Sequence, residues 1–223
     1  SLGLVGSEMC IRDRSNIWSS SYKAIQICNQ YLAEFQGLTF DELKLNDDYR
    51  AQMFRYTNSF KEARFLRAYF YFNLVRAYGD VPYFTEMVTT DQVNSLTRTP
   101  AQEIFNAIIA ECDKLSTELP ADYTKLGLDG IAPAENGRVT CYAALALKAR
   151  AALYAASPLF NPENNKDLWR RAAEANKEVI ETCTANGFKL SKYSELWGPN
   201  NWSNNEMIFV RRYNGNILSL IHI

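Results

Sequence analysis

One apolar run dominates the pattern of hydrophobic and polar positions along this chain. It reads Glu62-Ala-Arg-Phe-Leu-Arg-Ala-Tyr-Phe-Tyr-Phe-Asn-Leu-Val-Arg-Ala-Tyr-Gly-Asp-Val-Pro-Tyr-Phe84. Apolar and aromatic side chains fall on almost every face of a helix built from these residues, and such a helix must be buried between other helices. Gly79 and Pro82 are the usual pair that ends a helix, with Gly just past the last turn. We therefore predict a long buried helix that begins near Asn46-Asp47-Asp48 and ends at Tyr78.

Amphipathic spacing and end signals predict helices on both sides of this run. A stripe of apolar residues over positions 18–35 predicts the first helix. Further along, Thr99 is expected to cap a helix, with Pro100 in its first position and Gln102 closing a capping box. Leu119-Pro120 ends that helix, and the Gly-, Pro- and Asp-rich stretch after it predicts a loop.

The last third of the chain predicts two more helices and a change of period. Thr140 is expected to cap a helix that runs through Tyr154, and Asp167 is expected to cap one that ends at Gly187. The segment Glu206–Tyr213 is apolar and rich in β-favouring residues, which predicts a short strand.

A weak internal repeat indicates how these helices are arranged. Leu66-Arg67-Ala68 recurs as Leu147-Lys148-Ala149, about two helical-hairpin repeats further along. Each copy lies in a long predicted helix and is followed by a loop and a second, capped helix. We predict an all-α fold of tetratricopeptide-like hairpins that stack to bury a shared core, with a short strand near the C-terminus.

Composition and charge exclude several function classes. The chain has 223 residues and a formal net charge of −1, and its cations are scattered, so no nucleic-acid partner is expected. The five cysteines form no CxxC pair and the only histidine is His222, so we expect no metal site, no cofactor and no histidine triad. No GxSxG, HExxH or phosphate-binding glycine loop is present. We expect no enzyme activity, although a glycosidase-like carboxylate pair would be visible only in three dimensions.

Several blocks of sequence occur in an order that identifies a family. They are Trp18/Tyr22/Ile25/Asn29; Glu62–Ala68 followed by Gly79-Asp80-Val81-Pro82; Arg98-Thr99 with Leu119-Pro120; Gly137-Arg138-Val139-Thr140 followed by Ala143-Ala144 and Lys148-Ala149-Arg150; Trp169 with Ala172-Ala173; and Tyr193–Trp197 followed by Asn205-Glu206-Met207-Ile208. Together they resemble the SusD/RagB family of surface glycan-binding lipoproteins from Bacteroidota. Glu111-Cys112 departs from the family's usual Asp-Leu.

The resemblance implies a fold, a location and partners. Such proteins are helical with tetratricopeptide-like hairpins, sit on the outer membrane facing outward through a lipid anchor, and bind glycans without cleaving them. Each pairs with a TonB-dependent, SusC-like transporter and helps to import oligosaccharides. The resemblance covers residues 16–213, which we assign to a partial SusD-like helical domain. We expect residues 1–15 and 214–223 to be non-native extensions and the chain to be an internal fragment without the lipid anchor.

Candidate binding residues come from composition, because the family's ligand residues have no motif here. A sugar offers apolar faces that stack on aromatic rings and polar edges that need amides or charges. The stretch Trp197–Asn205 supplies both, and we name Trp197, Asn200, Asn201 and Trp202 as candidate ligand residues, with Tyr83 as a weaker one. The alternative is that one or both Trp side chains fold back onto the helices.

Two cations on the buried helix have two readings. Arg64 and Arg67 could contact a ligand or partner, or could form ion pairs that satisfy charge where helices pack. We favour the ion pairs.

One alternative function fits the same helices. A tetratricopeptide-like scaffold that binds peptides or proteins would explain the repeat and the buried aromatics equally well. A concave groove lined by Asn, Lys or Arg would favour the scaffold, and a flat surface with exposed Trp197 or Trp202 would favour glycan binding.

Overall fold

A computed structural model describes the chain over residues 3–128, 137–196 and 204–210, with side chains from residue 17 onward except at position 90. Six α-helices lie within these ranges: α1 Gly3–Glu34, α2 Tyr49–Tyr78, α3 Thr90–Ser95, α4 Ala101–Glu118, α5 Cys141–Ala156 and α6 Lys166–Ala185. Each long helix packs on the next long helix in the chain, α1 on α2, α2 on α4, α4 on α5 and α5 on α6. This stacking of consecutive helices confirms the predicted all-α, hairpin-based fold.

The core runs along α2, α4 and α5, and α2 supplies its largest side chains. Phe65, Tyr71 and Phe72 on α2 are buried, as predicted for a helix enclosed by others. The Phe72 ring meets the ring of Phe105 on α4 at 6.5 Å and that of Tyr154 on α5 at 5.2 Å between centroids. Alanines that line the buried face of α5 let α4 and α6 approach it closely.

The start of α4 differs from the sequence prediction. Thr99 does not cap the helix, because α4 begins at Ala101 and the cap position falls on Pro100, which was predicted inside the first turn. The backbone N–H of Thr99 donates to the carbonyl of Val81 at 3.0 Å in an isolated β-bridge. The cap comes instead from Asp80, whose Oδ1 accepts the backbone N–H of Ala101 at 2.8 Å. Gln102 makes no capping box, since its Nε2 donates to the carbonyls of Ala155 and Phe160, both at 2.7 Å. The start of α4 is therefore capped by a side chain from outside the helix, and the capping bonds predicted from the local sequence do not form.

Two other helix ends also depart from the local pattern. The predicted cap of α6, Asp167, lies inside the helix, and Asn165 caps it by accepting the N–H of Asp167 at 2.9 Å. Thr140 occupies the cap position of α5, but its side chain makes no capping bond. The short helix α3 was not predicted, although Thr89 and Gln92 form a complete capping box at its start.

The predicted strand Glu206–Tyr213 is not found in the part of it that the structure describes. Residues 206–210 form turns and bends, and the described ranges offer them no neighbouring strand to pair with. The ring of Phe209 packs instead edge-on against Phe65 of α2, with 5.6 Å between centroids. An apolar, β-favouring segment therefore meets the core through a side chain and not through backbone pairing.

Candidate functional site

An open groove of about 630 Å³ lies where the loop before α5, the first turn of α5 and the end of α6 meet. Its volume falls within the range of roughly 300–1,000 Å³ that is usual for ligand pockets. The described lining residues are Pro120, Ala121, Asp122, Lys125, Leu126, Tyr142, Asn186, Gly187, Phe188, Asn204, Asn205 and Met207.

The apolar wall of the groove is an aromatic pair. Tyr142 in the first turn of α5 packs edge-on against Phe188, with 4.8 Å between ring centroids. Phe188 reaches this position because Gly187 adopts a left-handed backbone, φ 87°, and turns the chain back after α6. The N–H of Phe188 then donates to the carbonyl of Cys183 at 3.0 Å, which fixes the turn. Desolvation by burial raises the pKa of Tyr142.

Three asparagines form the polar wall. Asn186 at the end of α6 holds its own helix terminus, because its Nδ2 donates to the carbonyl of Thr182 at 2.8 Å. Asn204 Oδ1 accepts from the Ser191 hydroxyl at 2.5 Å and from the N–H of Glu206 at 2.9 Å. Asn205 is exposed, and its backbone carbonyl accepts the N–H of Lys189 at 3.3 Å. The side-chain bonds orient the amides of Asn186 and Asn204 at the rim of the groove.

One ion pair sits at the groove edge. Lys125 Nζ lies 3.3 Å from Asp122 Oδ2 in the short turn Tyr123–Lys125. The other Asp122 oxygen, Oδ1, accepts from the Thr124 hydroxyl at 2.6 Å and from its N–H at 2.9 Å. The hydrogen bonds from Thr124 are the main reason that the pKa of Asp122 lies below its usual value, so the carboxylate is ionised at neutral pH.

Of the candidate residues named from sequence, the structure describes Tyr83 alone. Trp197, Asn200, Asn201 and Trp202 lie outside the described residues, so their binding role stays a prediction. Asn204 and Asn205, from the same Asn-rich stretch, line the groove. Tyr83 does not.

Tyr83 lies elsewhere, in a cavity of about 80 Å³ beside Arg64 and Glu111. Its ring packs on that of Tyr71 at 4.6 Å between centroids. At about 30 Å³ per water, this cavity has room for two or three water molecules and is too small for a sugar ring. Desolvation raises the pKa of Tyr83.

Of the two arginines singled out on α2, Arg64 forms the predicted ion pairs and Arg67 bonds to uncharged groups. Arg64 Nε donates to Glu111 Oε1 at 2.6 Å, and its NH1 donates to Glu118 Oε2 at 2.7 Å. Arg67 NH1 differs in binding neutral acceptors, Asn29 Oδ1 at 2.9 Å and the carbonyl of Thr85 at 2.8 Å. These contacts join α2 to α4, to α1 and to the loop after α2.

Sequence reasoning missed most of the groove. Three separate parts of the chain supply its residues, namely Asp122 with Lys125, Tyr142, and Asn186 with Phe188, and these residues belong to no motif. The sequence signals that existed were the Gly after α6 and the Gly- and Asp-rich loop before α5, which mark chain reversals but not what they bring together.

A second, more apolar groove of about 440 Å³ lies at the start of α2. Phe40, Leu43, Tyr49 and Met53 line it, together with Arg55 and other residues. The Phe40 ring packs edge-on against Tyr56, with 5.3 Å between centroids.

The described residues show neither a metal-ligand cluster nor a membrane-spanning helix. They contain no group of three His, Cys, Asp or Glu side chains that could hold a metal ion. Of the helices within the described ranges, none combines the length and the apolar character needed to cross a bilayer.

Comparison with known proteins gives one consistent result. A SusD-like family model, described as starch-binding associating with outer membrane, matches residues 7–153. SusD-like protein P25 of Formosa agariphila is 24% identical, over 87% of this chain and 31% of its own length.

Solved structures agree with the sequence matches. A SusD-like carbohydrate-binding protein from Bacteroides fragilis is 28% identical with a TM-score of 0.68, over 92% of this chain and 34% of its own. A laminarin-binding SusD-like protein is 25% identical with a TM-score of 0.61, over 87% of this chain and 36% of its own. This chain thus spans about a third of the length of these relatives. Because the family model matches well over half of its residues, the chain belongs to the SusD-like family.

Proposed function

We propose that this chain is the helical part of a non-catalytic glycan-binding protein, and that its groove takes part in holding the sugar. The observation that carries the proposal is the mixed lining of that groove in a member of a starch-binding family. An aromatic pair stands on one side, and three amides and an ion pair stand on the others. Apolar surface with a few oriented polar groups is the usual make-up of a small-molecule site, and sugars need both.

The family match supports a further proposal about location and partner. The family description places its members with the outer membrane. We propose that the whole protein is a surface-facing lipoprotein of that membrane and delivers oligosaccharides to a TonB-dependent, SusC-like transporter. Co-purification of the full-length protein with such a transporter would test this part separately.

Calorimetry with a panel of oligosaccharides tests binding by the 223-residue chain. Maltoheptaose, laminariheptaose and xylohexaose represent different linkages. Asn205→Ala removes one exposed amide of the groove. It is expected to lower the affinity for the sugar about fivefold, which corresponds to the loss of one hydrogen bond. Asn94→Ala, on exposed α3, is the matched control and should leave the affinity unchanged. Equal affinities for both variants would remove the groove from the site.

The tryptophans named from sequence receive their own test. We propose that Trp197 and Trp202 add stacking surface to the groove, since their stretch leads directly into Asn204 and Asn205. Trp197→Ala/Trp202→Ala should weaken sugar binding without lowering the melting temperature. A melting temperature that falls, with affinity retained, would show that the rings pack on the helices.

The scaffold function has specific support and is kept as the second candidate. The main groove is concave and carries three Asn and a Lys, which is the lining that favours a peptide-binding scaffold. The second groove, with Phe40, Leu43, Tyr49 and Met53, would suit an apolar peptide face. Binding of a peptide library with no binding of any sugar would favour the scaffold over the glycan proposal.

A further inference from the structure

We infer that the groove selects neutral oligosaccharides over acidic ones; this rests on the proposed function and names the substrate class of the same site. Among its described lining residues, Asp122 and Lys125 alone carry charged side chains, and they have opposite signs. The remaining lining residues are apolar or bear amides and hydroxyls.

The cation at the groove edge is already matched. Lys125 Nζ is 3.3 Å from Asp122 Oδ2, so a carboxylate or sulfate arriving at Lys125 meets the field of a carboxylate that is next to it. The Lys125 side chain is 82% exposed and can swing, but Asp122 cannot follow it. Two hydrogen bonds from Thr124 hold Asp122 in place. The negative charge is therefore the fixed partner at this edge.

A site for acidic sugars is built differently. Carboxylates and sulfates are held by unpaired cations, most often by Arg in a bidentate contact. No Arg is among the described lining residues, and the amides of Asn186, Asn204 and Asn205 match neutral hydroxyls, which both donate and accept. The described lining therefore offers an acidic sugar no unpaired cation that would compensate for the hydration that its carboxylate or sulfate loses on binding.

The direct test compares sugars that differ only in charge. Maltoheptaose and laminariheptaose are measured by calorimetry beside the same oligosaccharides oxidised at C6 to carboxylates, with tetragalacturonate as an independent acidic probe. The neutral form is expected to bind at least about fivefold more tightly, the size of one unit-charge interaction close to water. The preference should shrink as salt is raised, because added ions screen exposed charges.

A charge variant makes the test specific to this ion pair. Asp122→Asn keeps an oxygen for the Thr124 bonds and releases Lys125 from its partner. The ratio of acidic to neutral affinity should then rise about fivefold, and Lys125→Gln in the same background should cancel the rise.

The outcomes separate the two proposals. Acidic sugars that bind the wild-type chain as tightly as neutral ones, or more tightly, would overturn the charge inference and leave glycan binding in place. A ratio that Asp122→Asn does not change would also overturn it, since the pair would then not control selection. Absence of binding to every sugar would refute the proposed function, and this inference would fall with it.

Discussion

Replacing Arg138 by alanine is expected to lower the stability of the fold, because this residue closes a half-buried network around Glu62. Arg138 Nε and NH2 donate to the two Glu62 oxygens, each at 2.8 Å. Glu62 Oε1 also accepts from Asn58 Nδ2 at 2.8 Å, and the Tyr123 hydroxyl lies 3.0 Å from it. The substitution leaves the Glu62 carboxylate inside the fold without its cation.

The expected loss lies between two limits. Removing one member of a fully buried pair costs about 3–5 kcal/mol, and an exposed pair is worth about 0–1 kcal/mol. Here the side chains of Arg138 and Glu62 are 30% and 16% exposed, so water replaces part of the lost bonding. We therefore expect Arg138→Ala to cost about 2 kcal/mol, or roughly 4–8 °C in melting temperature for a chain of this size.

Thermal melting and urea unfolding, followed by circular dichroism, measure this effect. Arg138→Lys keeps the charge but cannot donate in the same two-pronged way, and it should cost about half as much. Arg170→Ala is the control for losing an arginine, because its pair with Asp167 is exposed on both sides. It should change stability by less than about 0.5 kcal/mol.

A double-mutant cycle isolates the pair itself. Glu62→Gln and Arg138→Ala should show a coupling of about 1–2 kcal/mol, because the residues bond directly. A coupling near zero, with Arg138→Ala no worse than Arg170→Ala, would refute the reasoning and show that this network is fully hydrated.

Three further predictions concern the core, a helix cap and the thiols. Phe72→Ala should cost about 3–5 kcal/mol in urea unfolding, since the ring is 1% exposed, whereas Leu159→Ala at 79% exposure should cost almost nothing. Asp80→Ala should cost about 1 kcal/mol and Asp80→Asn less, because asparagine can still accept the α4 N–H. The variant Cys10→Ser leaves only the four cysteines whose side chains the structure describes. A thiolate-specific reagent at pH 8 should label these thiols slowly in the folded chain and should label all four once the chain is unfolded. Burial raises the pKa of Cys112 to about 12, and rapid labelling of it in the folded chain would contradict this packing.

The order and approximate extent of α2, α4, α5 and α6 could be predicted because each depends on neighbouring residues. The short helix α3 was not predicted, and α1 begins at Gly3, before the predicted start at position 18. The apolar run that ends at Gly79 predicted α2, and α2 begins at Tyr49, beside the predicted start. The four cysteines with described side chains are free, and three of them are buried. Periodicity and the signals at a helix end are local, so they can be read without the fold.

The capping residues and the groove could not be predicted for the opposite reason. Asp80 caps α4 from the far side of a loop, and Gln102 leaves its own helix end to bind carbonyls near the end of α5. The groove likewise combines Asp122, Tyr142 and Phe188, which meet only after α5 and α6 have packed. A side chain can form hydrogen bonds with any suitable group that lies close to it in the fold. The sequence shows only the groups that are close to it along the chain.

The groove beside Tyr142 and Phe188 is proposed to hold a neutral sugar. A crystal structure of the chain with the tightest-binding neutral oligosaccharide of the panel would show the bound sugar directly. We expect sugar density in the groove, with hydroxyls within hydrogen-bond distance of Asn205 and of at least one other asparagine of its wall. Sugar bound elsewhere, for example in the apolar groove of Phe40 and Met53, would contradict it.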